Sequence, residues 1–208
     1  MSILRTTSLE ELKDFSQRSD QLTILKRSSP EGSTDFFQEL MLEPFGLAGE
    51  LSRETAEQDI REILEDEFSA EIKNNSFYSY WILDMAKLCE AFCEMQNSEA
   101  ISFKLGSQRG CRRYHVDYVP LRMLVTCAGQ GTELLPDEAA DRDAFMNGEA
   151  NERIVKNISL IKFMKPWEIA VFHGGPKGIL HRTPDEALHG SSVMMRLDDS
   201  TFHHNTKT

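Results

Sequence analysis

The sequence predicts an α+β fold in which a helical N-terminal portion packs on a C-terminal antiparallel barrel or sandwich. Three observations carry this. The strongest apolar periodicity, Trp81, Met85, Leu88, Phe92 and Met95, falls at helical spacings of three and four in the first half of the chain. From Ala100 onward the pattern changes to short alternating or β-branched runs punctuated by glycine. The length of 208 residues suits one sizeable core with a helical appendage, divided at 1–99 and 100–200 and followed by a polar, disordered tail, 201–208.

In order along the chain, Ser8-Leu9-Glu10-Glu11 has capping-box spacing and opens a short helix through Leu12 and Phe15. Leu22–Leu25 reads as a strand, and Ser28–Ser33 as a loop. Phe36, Phe37, Leu40 and Met41 mark a helix that stops near Pro44. Ser52 is the expected cap of a helix reaching Phe68, with Ile60, Ile63 and Leu64 on its buried face and its acids in solvent. Asn74-Asn75-Ser76 interrupts before the Trp81–Met95 helix, whose aromatic and methionine stripe is a packing face.

The expected strands of the second half are Ile101–Leu105, Tyr114–Tyr118, Leu121–Cys127, Ile158–Met164, Glu168–Phe172 and Val193–Leu197. Pro136–Lys156 is polar, acidic and aperiodic, and reads as a long loop or lid. Gly174-Gly175-Pro176-Lys177-Gly178 lacks phosphate-loop spacing and reads as a tight turn.

Composition narrows the function classes. A net charge of −11 with scattered bases disfavours a phosphate backbone as partner and points to a small-molecule or peptidic substrate. No apolar stretch is long enough to span a bilayer, and Met1–Arg5 lacks a signal-peptide core, so a cytoplasmic location is expected, with no membrane partner. The four cysteines, Cys89, Cys93, Cys111 and Cys127, form no disulfide framework; Cys89 and Cys93 share a helical face and read as small core residues rather than metal ligands.

The chemistry gathers at Tyr114-His115-Val116-Asp117-Tyr118. On an extended chain alternate side chains share a face, so His115 and Asp117 point the same way and can supply two ligands of a two-His-one-carboxylate metal face. Of the six histidines, His203 and His204 fall in the tail and His189 in a loop. His173, ending a strand before Gly174, and His181, beside a turn, are the candidates for the third ligand.

The order His115-x-Asp117 and, later, His181 within Leu180-His181-Arg182 resembles the iron(II)- and 2-oxoglutarate-dependent dioxygenases. A closer resemblance, to the bacterial domain-of-unknown-function family 1826, runs through Cys111–Asp117, Leu121–Thr126, Gly129–Glu133, Asp141-Arg142 and Leu180–Arg182. The first resemblance implies a double-stranded β-helix, a cupin-like or jelly-roll barrel, with His115, Asp117 and His181 as metal ligands and His173 as second choice. It implies iron(II) and 2-oxoglutarate as metal and cosubstrate, a hydroxylase-type oxidoreductase, and a substrate pocket lined by Tyr114, Tyr118, Thr132 and Trp167. Zinc or manganese would suit the same donors. One departure stands out: Ser191 and Ser192 occupy the positions where those enzymes carry a cosubstrate-binding arginine, leaving Arg196 or Arg122 to replace it. The rival expectations are a non-catalytic metal-binding protein of metal homeostasis and a cupin-like isomerase or hydrolase using the metal as a Lewis acid.

Overall fold

The structure is a computed structural model and describes residues 3–200. The tail that includes His203 and His204 lies outside the described residues. In chain order the strands are β1 (Ile3–Thr6), β2 (Leu22–Leu25), β3 (Gly46–Ser52), β4 (Ala100–Gly106), β5 (Leu121–Ala128), β6 (Glu133–Leu135), β7 (Lys162–Phe163), β8 (Ile169–His173), β9 (Leu180–Arg182) and β10 (Val193–Asp199). The helices are α1 (Leu9–Lys13), α2 (Ser33–Leu40), α3 (Ala56–Leu64), α4 (Ala70–Asn74), α5 (Ser76–Gln96), α6 (Arg142–Met146), α7 (Asn151–Ile154) and α8 (Asp185–His189).

The fold is mixed α+β around a seven-stranded sheet of order β1-β2-β8-β5-β10-β4-β3, with a second, three-stranded sheet of order β7-β6-β9. Among the described residues only β1 and β2 pair in parallel; the other neighbours are antiparallel. Neither sheet closes on itself, so the closed barrel expected from the sequence is replaced by two open sheets. The first half of the chain is also more than a helical appendage, because β1, β2 and β3 are integral strands of the large sheet.

Strand alternation divides the large sheet into two chemically different faces. Ile101, Phe103 and Leu105 of β4, Met123, Val125 and Cys127 of β5, and Val193, Met195 and Leu197 of β10 point outward to the helices. There they meet the buried stripe of α5, including Trp81, Met85, Leu88 and Phe92. Asn75 caps that helix through its side-chain oxygen, and Asn97 ends it in the left-handed conformation. The other face turns toward the small sheet, where Leu22, Ile24, Leu124, Ala170 and Phe172 pack against Leu134, Met164 and Ile179. At one end of this inner face the apolar residues give way to Arg122, Arg196, Asp198 and Lys104.

Several sequence expectations need correction. Ser52 ends β3 rather than capping a helix, and α3 begins only at Ala56; the Ser52 amide is instead bonded by Asp59. Tyr114–Tyr118 is not a ladder strand, since His115 alone bridges to His181. Ile158–Met164 becomes a 3-10 turn followed by the two-residue β7. Pro136–Lys156 is ordered by α6, whose cap is Asp141, and α7, and by an Arg142–Asp137 ion pair at 2.5 Å, so it is a structured connection. His189 ends α8 rather than lying in a loop.

Candidate metal centre

The segment carrying His115 and Asp117 leaves β4, runs beside the free edge of β9 and enters β5. His115 and His181 exchange both backbone hydrogen bonds, at 3.1 and 3.0 Å, and the Thr183 amide extends the pairing to the Cys111 carbonyl at 2.8 Å. This pairing lays the two imidazoles side by side, with ring centroids 4.4 Å apart. Past His115 the chain turns away, and the Gly174 and Gly175 amides hold it by donating to the Pro120 and Asp117 carbonyls at 3.1 and 2.6 Å. A Cβ at Gly174 would come within 1.9 Å of the Val119 carbonyl oxygen, so the turn admits only glycine there.

Ligand atoms of His115, Asp117 and His181 lie within 4.8 Å of one another, and the group could hold a metal ion. His181 Nε2 is 3.4 Å from Asp117 Oδ2, and His115 Nε2 is 3.9 Å from Asp117 Oδ1. Each imidazole has its Nδ1 at a carbonyl two residues earlier in the chain, Arg113 for His115 at 3.0 Å and Ile179 for His181 at 3.1 Å. A proton on Nδ1 satisfies that carbonyl and leaves the Nε2 lone pair facing the centre, the tautomer a metal requires. Burial pushes His181 down to about 4, against the raising effect of Asp117, so its imidazole is neutral at neutral pH.

Asp117 is the most telling member. One oxygen, Oδ1, accepts from Arg122 Nη1, whereas Oδ2 is buried without any hydrogen-bond partner. An orphaned carboxylate oxygen is costly unless something cationic completes it. The side chains of Asp117 and His181 are 2% and 5% exposed and that of His115 is 32%, so the group opens to solvent on the His115 side. Two imidazole nitrogens and a carboxylate oxygen are a donor set that suits a single divalent transition-metal ion.

Around the triad, Arg122 is clamped rather than free. Its Nε and Nη2 donate to the two oxygens of Asp198 at 2.6 and 3.1 Å, and its third nitrogen holds Asp117. That removes it as an available cosubstrate cation and makes it the brace of Asp117 instead. Arg196, paired in register with Lys104, lies with Nε 2.9 Å from Asp198 Oδ2 and keeps more exposure. Lys104 is a cation the sequence did not single out; burial, then Arg196, holds its pKa below the ordinary value.

The remaining site residues fall elsewhere. His173 sits on the helix-facing side of β8, its ring 4.3 Å from Phe15 and its Nδ1 at the Asp20 carbonyl, so alternation rules it out as a ligand of this centre. Tyr114 points away from the triad into a cluster on the outer side of the small sheet, and Trp167 is buried in the helix-side core against Phe37 and Phe77. Tyr118 is 75% exposed, and Thr132 is buried and bonded by Arg109, so the four expected pocket residues do not converge. Tyr114 has a different task. Its hydroxyl donates to the buried Glu133, which also accepts from Arg182 at 2.9 Å, while the Arg182 guanidinium lies 5.2 Å over the Tyr114 ring. The chain neighbours of both histidines are therefore tied together through Glu133, which the sequence flagged only as the end of Gly129–Glu133.

Residues 6–198 match the family described as "Protein of unknown function (DUF1826)", and the chain belongs to it. No curated protein sequence matches the chain at a significant level. Among solved structures, a bsmA homolog from Methylobium petroleophilum PM1 is 13% identical over 92% of this chain and 91% of its own, with a TM-score of 0.43. The Fe(II)/(alpha)ketoglutarate-dependent dioxygenase TqaL is 10% identical over 91% and 85%, TM-score 0.46. EctD from S. alaskensis with 2-oxoglutarate and 5-hydroxyectoine is 13% identical over 93% and 77%, TM-score 0.44. At these identities the chemistry of the present centre rests on its own geometry. Among the described residues no helix is long and apolar enough to cross a membrane.

Proposed function

We propose that the chain is a mononuclear non-haem iron(II) protein of double-stranded β-helix type, with His115, Asp117 and His181 as ligands, acting as a 2-oxo-acid-dependent oxygenase on a small or peptidic substrate. The observation that carries this reading is Asp117 Oδ2, buried and unpartnered within 3.4 Å of the Nε2 of a neutral histidine. Two open sheets facing each other across an apolar layer, with the triad between their edges, support the architectural part.

Iron held by these three groups would supply open coordination positions for a 2-oxo acid and dioxygen. The protein's own residues do the rest. Arg122 fixes the Asp117 carboxylate and neutralises Asp198, and the two carbonyl contacts fix the imidazole tautomers. Arg196 and Lys104, adjacent on the inner face, supply the positive field for the far carboxylate of the cosubstrate.

Anaerobic titration of the metal-free protein with iron(II) and then 2-oxoglutarate tests the reading. The expected result is stoichiometric iron binding followed by a visible charge-transfer band. Iron binding without a band removes the 2-oxo acid and leaves a non-catalytic metal-binding protein. Undiminished binding in folded His115→Ala, Asp117→Ala and His181→Ala variants would remove the centre.

A further inference from the structure

Apart from the triad, the partly buried arginine most in need of explanation is Arg109, in the connection between β4 and His115. Its Nη1 donates to the Gln130 carbonyl at 2.6 Å and its Nη2 to Thr132 Oγ1 at 2.9 Å, while Nε is buried with no acceptor. None of these contacts is a carboxylate. Comparable arginines all have one: Arg27 meets Asp84, Arg122 meets Asp117 and Asp198, Arg182 meets Glu133 and Asp185, and Arg196 lies beside Asp198. In a chain with 34 acids and 23 bases, a guanidinium left without a counter-charge is the exception. Its burial is unfavourable enough to hold the group down to about 10.

Arg109 lines a cavity of about 350 Å³ between the β4 connection, the end of α2 and α8, and among the described residues no aspartate or glutamate lines it. That volume falls within the range of small-molecule sites. Its lining joins polar Ser107, His189 and Ser191 to apolar Met41, Leu42 and Pro44, and Leu42 is 79% exposed. Beside it, Ser192 is fully buried and its hydroxyl has no partner; its amide reaches the Ser107 carbonyl at 3.4 Å, which brings the start of β10 against the Arg109 segment.

We propose that this cavity is a binding site for a small aliphatic carboxylate, with Arg109 as its anchor. Gln130 and Thr132 take one hydrogen from each terminal nitrogen, so one hydrogen of each and the Nε hydrogen are left for a planar carboxylate. One uncompensated unit charge matches one carboxylate; a phosphate, which carries roughly −1.5 to −2, would need more cations. Met41, Leu42 and Pro44 would take a short carbon chain. The site uses no metal ligand, so it stands or falls apart from the oxygenase reading.

The test is calorimetric titration of the chelator-treated full-length protein with hexanoate, with succinate and inorganic phosphate as comparators. Saturable one-to-one binding of hexanoate is expected, with phosphate at least tenfold weaker. Arg109→Gln should weaken hexanoate binding at least tenfold, and Arg109→Lys nearly as much, since an ammonium lacks the fork. Arg112→Gln, an exposed neighbour, should leave binding unchanged. As a measurement needing no variant, hexanoate should protect Arg109, and not Arg112 or Arg113, from phenylglyoxal in peptide mapping. No saturable binding to the wild type, equal binding by Arg109→Gln, unprotected Arg109, or phosphate binding better than hexanoate would each overturn the proposal.

Discussion

Asp117 shows how much one side chain can be asked to do. Its Oδ1 holds Arg122, and Arg122 in turn holds Asp198, so three charges are buried as a set. Replacing Arg122 by methionine leaves buried Asp117 without its guanidinium and Asp198 with Arg196 alone, and a loss of about 3–5 kcal/mol of stability is expected in urea unfolding. A loss under about 1 kcal/mol would show that the cluster is solvated and that Arg122 is no brace. The cysteines give a second prediction. Cys89, Cys93 and Cys127 are buried, and burial pushes Cys93 up to about 11 and Cys127 up to about 12, whereas Cys111 is exposed. A thiol-specific chromophore should therefore react quickly with one cysteine per native chain and with all four once denatured; more than one fast thiol would contradict the packing of α5 against β5. At this scale the sequence was informative where a period fixed a face. His115 and Asp117 were legible through the two-residue repeat, and the same repeat, applied to His173 from Ile169 and Val171, places it on the helix side once the core is known. Arg109 and Lys104 were not legible, because nothing local marks a cation whose partner is missing or lies on another strand.

The elements explain why the triad is held by turns rather than by a regular strand. His115 is paired with His181, but Asp117 is placed by Gly174 and Gly175, whose amides bond the chain on its way into β5. Gly174→Ala would drive a methyl group into the Val119 carbonyl and, at 2.7 Å, the Asp117 carbonyl, so the segment must shift. Metal affinity is expected to fall at least tenfold although no ligand has changed. Gly148, at φ +74 with open space around its Cβ position, is the control: Gly148→Ala should lower stability by about 1 kcal/mol through backbone strain and leave metal affinity intact. Equal metal binding by wild type and a folded Gly174→Ala protein would separate the glycine turn from the centre. The sequence read this turn correctly as a turn, but its contact with a segment more than fifty residues earlier is a tertiary fact. β3 was missed for a related reason. Gly46, Gly49 and Glu50 disguise its alternation, and Gly49 leaves room for the Ile63 side chain of α3, whose terminal methyl lies 2.5 Å from where a Cβ would be.

For the whole molecule, the two faces of the large sheet differ in what secures them. On the helix side, α5 and its neighbours bury a continuous apolar core whose periodicity was plain in the sequence. On the other side, the small sheet has strands of only two or three residues and a modest apolar layer, so its position depends more on the groups near its edge. The proposed metal joins these parts: His181 belongs to β9, while Asp117 is tied through Arg122 to β5 and through Asp198 to β10. Metal that binds only the folded chain at a hundred times its Kd should stabilise by about 2.7 kcal/mol. The distribution of that gain is the sharper prediction. Hydrogen exchange followed by mass spectrometry should show iron(II) or zinc slowing exchange in 111–117, 133–135 and 180–183, with little change in α5. These short strands open by local fluctuations that a shared ion suppresses, whereas the amides of α5 are already protected by the core and exchange through larger openings. Slowing confined to α5, or no slowing despite stoichiometric metal, would mean that the ion does not join the sheets.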